Sequence, residues 1–139
     1  MSSSALERGA VARPDAAHRH AVLFVEDHDE TREVFVALAD AYGFEVVGAP
    51  GGREALDYLR QGARPCLILL DLHMPGMDGF AFRRQQMHDA TIADIPVAVL
   101  TGGGAHDEAA AAPLGFVAFL RKPVEVSALL RLLDSYCAR

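Results

Sequence analysis

Glu26 and Asp27 close the apolar run AVLFVE (21–26), and Asp71 closes CLILLD (66–71). Thr101 closes PVAVLT (96–101), and Lys122, followed by Pro123, closes FVAFLRK (116–122). Three carboxylates gathered at one place repel one another and stay ionised near neutral pH only if cations sit among them. A lysine and a hard divalent ion meet that need. Mg²⁺ takes one or two carboxylates, a carbonyl, several waters and a phosphate oxygen, a set that the Glu26–Asp27 pair beside Asp71 can supply. A carboxylate can also attack phosphorus and become an aspartyl phosphate. Lys122 and the metal would then neutralise charge developing on the phosphoryl oxygens, and the Thr101 hydroxyl would donate to one of them. Taken alone, an aspartate at a strand end is most simply a turn or cap residue. The five residues together carry the chemistry.

The elements that must position these residues are legible. Five short apolar runs, the four above and EVVGA (45–49), alternate with segments of helical period. ETREVFVALADAYGF places Val34, Leu38 and Ala41 on one side and stops at Gly43. GREALDYLRQG does the same with Ala55, Leu56 and Leu59 and stops at Gly62. Both glycines suit a helix C-terminus. GFAFRRQQMHDA and AHDEAAAAPLG fill the next two gaps, the second weakened by Pro113, so the TGGGA region is expected to be short or poorly ordered. VEVSALLRLLDSYCAR ends the chain with a stripe of Val126, Leu129, Leu130, Leu133 and Tyr136. Continuous apolar strands, rather than alternating ones, belong to a parallel sheet covered by helices on both faces. The expectation is a doubly wound α/β domain with function at the carboxyl ends of its strands.

Composition bounds the rest. A chain of 139 residues, 51% hydrophobic, can bury one core and is too short for two ordinary domains. Thirteen basic against nineteen acidic residues leave a formal charge of −6, which disfavours nucleic acid and acidic membrane surfaces. No run approaches the ~18 apolar residues of a membrane span, and the first 20 residues lack a signal-peptide block. A protein of the cytoplasm is expected, with Cys66 and Cys137 as two buried reduced thiols. Residues 1–19 read as a mobile tail ahead of a domain over 20–139. His18, His20, His28, His88 and His106 are scattered without metal-ligand spacing and are expected at the surface. GMDGF reads as a turn into a helix, with Asp78 as its cap. No helix offers a second apolar stripe, so a monomer is expected without phosphorylation.

VLFVEDHDE, LILLDLHMPGMDGF, VLTGG and FLRKPV, in this order and spacing over residues 20–137, resemble the signature segments of the receiver domain of two-component response regulators. The stand-alone regulators of chemotaxis type are the nearest pattern. The resemblance implies a flavodoxin-like five-stranded parallel sheet of order 2-1-3-4-5 with about five helices. It implies that Asp71 accepts a phosphoryl group from a histidine kinase or phosphotransfer protein, with Mg²⁺ held by Asp27, Asp71 and the backbone carbonyl of His73. Glu26 would hold metal-bound water. Thr101 would move toward the phosphoryl group, Lys122 would bridge to Asp71, and Phe119 would be a rotating switch on a protein-binding face. The bond between Lys122 and Pro123 would be cis.

Residues 73 and 103 correspond to family positions that line the path of attacking water. Here they are a histidine and a glycine, which suggests that His73 partly covers the phosphoryl group while Gly103 leaves the other side open. His73 as a plain exposed loop residue and Phe119 as plain core are equally open readings. Two rivals differ in class. A haloacid-dehalogenase-like phosphohydrolase also forms an aspartyl phosphate with Mg²⁺, but it carries D-x-D on its first strand. A degenerate receiver serving only as a binding module would have lost the acidic pair, the acceptor or the lysine. With Arg139 directly after the last helical segment, output is expected through contact with a target protein rather than through a following domain.

Overall fold

The computed structural model describes residues 21–138, and the 1–19 tail lies outside them. Five strands, β1 (Val22–Val25), β2 (Val46–Ala49), β3 (Leu67–Asp71), β4 (Val97–Thr101) and β5 (Ala118–Arg121), form one parallel sheet of order β2-β1-β3-β4-β5. Five helices connect them: α1 (Asp29–Ala41), α2 (Gly52–Arg60), α3 (Gly79–Met87), α4 (Ala105–Ala111) and α5 (Val126–Tyr136). Strand order and helix count agree with expectation. β1 to β4 are buried along their whole length because helices cover both faces. One layer packs Leu23, Val25, Ile68 and Leu70 against Leu56 and Leu59 of α2 and Phe82 of α3. The other packs Phe24, Leu67, Leu69 and Leu100 against Phe35 of α1 and Leu129 and Leu133 of α5. The chain order reverses between β1 and β3, which opens a crevice beyond their carboxyl ends.

The helices depart from the sequence expectation in detail. On α1 the buried side is Arg32, Phe35 and Ala39, whereas Val34 is 64% exposed and Ala41 faces solvent. On that side the Arg32 guanidinium donates to the Glu26 carbonyl at 2.7 Å and pairs with Asp29, and the Phe35 ring packs on Phe24 with centroids 4.2 Å apart, while Leu38 stays partly buried against the same layer. α2 buries Ala55, Leu56 and Leu59 as expected. On α5 only Leu129 and Leu133 of the five stripe residues are buried. α4 is indeed short, ending before Pro113 in a 3₁₀ turn (Ala112–Leu114). That turn is fastened from α3, where Arg83 donates to the Leu114 carbonyl at 2.8 Å and to Gln86 at 2.6 Å.

Cys66 and Cys137 are not free thiols; they form a disulfide with Cα atoms 5.4 Å apart. α5 runs back along the sheet, so its C-terminal end arrives beside the residue that precedes β3. A separation of 71 residues hides that meeting from any local pattern. The Lys122–Pro123 peptide is cis, as expected.

Candidate functional site

The parallel register sets the strand ends side by side. Val25 pairs with Leu70, Asp71 with Leu100, and Thr101 with Arg121, so Glu26, Asp71, Thr101 and Lys122 share one edge of the sheet. The loop after β3 is held by the turn GMDGF. Asp78 caps α3 by accepting from the Ala81 N–H at 2.9 Å, as the sequence indicated. Gly79 donates to the Leu72 carbonyl at 2.9 Å, and a Cβ on it would come within 2.9 Å of the Asp71 carbonyl oxygen. Only glycine lets α3 start this close to the strand bearing Asp71.

Lys122 binds the carboxylates together. Its Nζ lies 3.4 Å from Asp71 Oδ1 and 3.5 Å from Glu26 Oε1. Glu26 is fully buried and Asp71 is 4% exposed. Burial, and then the negative charge of Glu26, push the Asp71 carboxyl above its ordinary range, against the opposing pull of Lys122 and the His73 N–H. Burial also works to raise Glu26, but hydrogen bonds from the backbone and ring of His28, with the charge of Lys122, bring it below the usual range. His28 is, as its sequence position suggests, a surface residue with another role as well. Its ring is exposed, yet Nδ1 sits 3.0 Å from Glu26 Oε2 and 3.7 Å from Asp27 Oδ1. Its imidazole is correspondingly pushed up, first by the Glu26 hydrogen bond.

These residues fit a divalent cation. Glu26, Asp27 and His28 bring ligand atoms within 4.8 Å of one another. Glu26 Oε1 and Asp27 Oδ1 are buried and accept no hydrogen bond, the former facing the Lys122 ammonium at 3.5 Å, so both oxygens can still gain from a cation.

Thr101 and His73 belong to a second cluster that the sequence did not reveal. The Thr101 hydroxyl donates to Asp107 Oδ2 at 2.5 Å, and His73 Nε2 donates to the same oxygen at 2.8 Å. The Thr101 hydrogen bond, then the His73 ring, hold Asp107 below the usual carboxylate range against its burial. His73 keeps its backbone N–H on Asp71 Oδ1 at 3.3 Å, while its ring is 61% exposed. Asp107 is one of two adjacent acidic residues, with Glu108, in an alanine-rich helix, and no spacing rule singles it out. Phe119 is half-buried on β5, its ring edge-on to Phe116 with centroids 5.9 Å apart.

A buried acidic residue held up by burial and a neighbouring charge makes a stability prediction. The folded chain binds the Asp71 proton more tightly than the unfolded chain does, so ionising Asp71 costs stability as pH rises past the ordinary carboxylate range. Asp71→Asn is therefore expected to stabilise the metal-free protein at pH 7 by on the order of 1 kcal/mol. The gain should vanish on acidification below the ordinary Asp value of about 4. Urea melts of both proteins at the two pH values check this.

A doubly wound sheet with a buried aspartate, an acidic pair and a lysine at its carboxyl edge defines a domain of the receiver class. The family model for the response regulator receiver domain matches residues 22–134. The chain belongs to this family. It is 32% identical over 116 residues to the polar-differentiation response regulator DivK of Brucella anthropi, a match covering 83% of this chain and 94% of that one. Among solved structures, a response regulator receiver protein from Pseudomonas putida superposes with a TM-score of 0.77 at 33% identity, covering 84% of this chain and 97% of that one. The chemotaxis protein CheY4 of Vibrio cholerae superposes with a TM-score of 0.75 at 30% identity, covering 84% and 98%. The domain is thus a phosphoacceptor signalling module of a two-component system. Receiver domains bind Mg²⁺ at an acidic pocket and work with histidine kinases or phosphotransfer proteins. Among the described residues no helix is long and apolar enough to cross a membrane.

Proposed function

We propose that Asp71 is the phosphoacceptor and that the domain, residues 20–139, catalyses its own phosphorylation and dephosphorylation. The observation that carries this is the ion-paired set at the strand ends, with Lys122 within 3.5 Å of both Asp71 and Glu26. An Asp71 carboxylate oxygen attacks the phosphorus of a phosphohistidine, the P–N bond breaks, and the departing imidazole keeps the electron pair and takes up a proton. Water later attacks the aspartyl phosphate and releases inorganic phosphate. Bound Mg²⁺ would neutralise the phosphoryl oxygens, held by Asp27, Asp71 and the His73 carbonyl, with Glu26 reaching it through water. Lys122 holds the acceptor in place and balances the charge gained. Thr101 reorients toward the phosphoryl group, Phe119 turns into the space released, and the face around β5 changes for a target protein.

The donor is a cytoplasmic histidine kinase or phosphotransfer protein, and the unphosphorylated domain is a monomer. In the cytoplasm thiol pools reduce most protein disulfides, which makes the Cys66–Cys137 bond a state set by conditions. The test is intact mass after incubation with acetyl phosphate. Gain of one phosphoryl group, dependent on Mg²⁺ and lost on treatment with hydroxylamine as acyl phosphates are, is the expected result. No gain would mean a binding module that works without phosphorylation.

A further inference from the structure

We propose that Asp107 is a positioning residue that holds the Thr101 hydroxyl in its unphosphorylated orientation, so that switching at Asp71 must first break the Thr101–Asp107 hydrogen bond. The proposal rests on the reading of Asp71 as phosphoacceptor and Thr101 as the residue that moves toward it.

A threonine hydroxyl has one proton to give. Thr101 is fully buried, and that proton is committed to Asp107 Oδ2 at 2.5 Å. The Thr101 Oγ1 atom is oriented from its other side as well, accepting from the Gly103 N–H at 3.0 Å. Thr101 is therefore held from both ends by the loop and helix that follow β4, and it cannot donate to a phosphoryl oxygen while this arrangement lasts.

Asp107 is itself fixed. It is 5% exposed, and Asp107 and Ala111 are the buried residues of α4. The His73 ring donates to the same oxygen from outside. His73 also places its backbone N–H on Asp71, so one residue touches the acceptor and the latch together. Gly103 makes the return of the carboxylate possible, because a Cβ there would land on Asp107 Oδ2. The glycine expected from sequence to leave the site open instead makes room for the latch.

Two substitutions release the same bond by different routes. Asp107→Ala removes the acceptor, and Gly103→Ala drives the flexible end of Asp107 away while keeping it in the chain. Three-bond couplings at Thr101, measured by NMR on the unphosphorylated protein, should report one side-chain rotamer in the wild type and averaging in both variants. Titration with fluoroberyllate and Mg²⁺, a tetrahedral phosphoryl mimic, should show each variant binding roughly tenfold tighter than the wild type, since a hydrogen bond to a carboxylate no longer opposes the switch. In a Thr101→Val background Asp107→Ala should have no effect on that affinity, whereas a merely structural role would persist there. An unchanged single rotamer in Asp107→Ala, or fluoroberyllate binding equally tightly to all proteins, overturns the latch alone. Failure of fluoroberyllate to bind the wild type and both variants overturns the reading of Asp71 and the latch with it.

Discussion

Lys122→Met is expected to slow phosphoryl uptake from acetyl phosphate by a factor on the order of 10²–10³, the usual effect of removing one preorganised charge from a developing anion. Asp71→Asn should abolish uptake altogether. The lysine is the cation that the structure sets between two buried carboxylates, 3.4 Å from Asp71 and 3.5 Å from Glu26. Methionine keeps most of its length and apolar stem but leaves both anions without that partner. The charge arriving with the phosphoryl group, about −1.5 to −2, would then enter a site already holding Glu26, Asp27 and Asp71. Rates of mass gain at fixed Mg²⁺ and donor measure the effect. A Lys122→Met rate within a factor of about two of wild type would mean that the lysine is structural and that the metal alone balances the phosphoryl charge.

The second large effect concerns stability. Reducing the Cys66–Cys137 bond, or replacing either cysteine by serine, is expected to lower the unfolding free energy by up to about 4 kcal/mol, given a loop of 71 residues. The bond pins the C-terminal end of α5, a helix that buries only Leu129 and Leu133, to the foot of the central strand. It lies at the end of the sheet opposite the acidic cluster, so phosphoryl uptake should change little. Urea melts with and without reductant, alongside thiol titration, measure both. A midpoint indifferent to reductant in protein whose thiols titrate only after reduction would show that the unfolded chain gains little freedom when the bond is cut.

The residues of the acidic cluster were legible because chain direction does most of the work. In a parallel sheet every strand ends on the same edge, so polar residues that each terminate an apolar run must converge whatever the helices between them do. Glu26, Asp71 and Lys122 follow that rule. The same reasoning yields the doubly wound architecture from five continuous apolar runs, and the cap at Asp78 follows from the local turn GMDGF.

What lay beyond the sequence are pairings that depend on rotation and return. The buried side of α1 is Arg32, Phe35 and Ala39 rather than the stripe of Val34, Leu38 and Ala41, and a carbonyl at the end of β1 stands within reach of the Arg32 guanidinium. His28 is a partner of Glu26, although its residue type and exposure gave no sign of it. The two cysteines meet only because α5 runs back to the start of β3. Thr101 finds Asp107 only because α4 begins after three glycines that let it fold over the strand end. Apolar periodicity and strand direction are written in nearest neighbours along the chain, and they determine the fold and the edge where the chemistry sits. The orientation of a helix about its axis, and the choice of one acceptor for one proton, arise from atoms distant in sequence and are decided when the layers close.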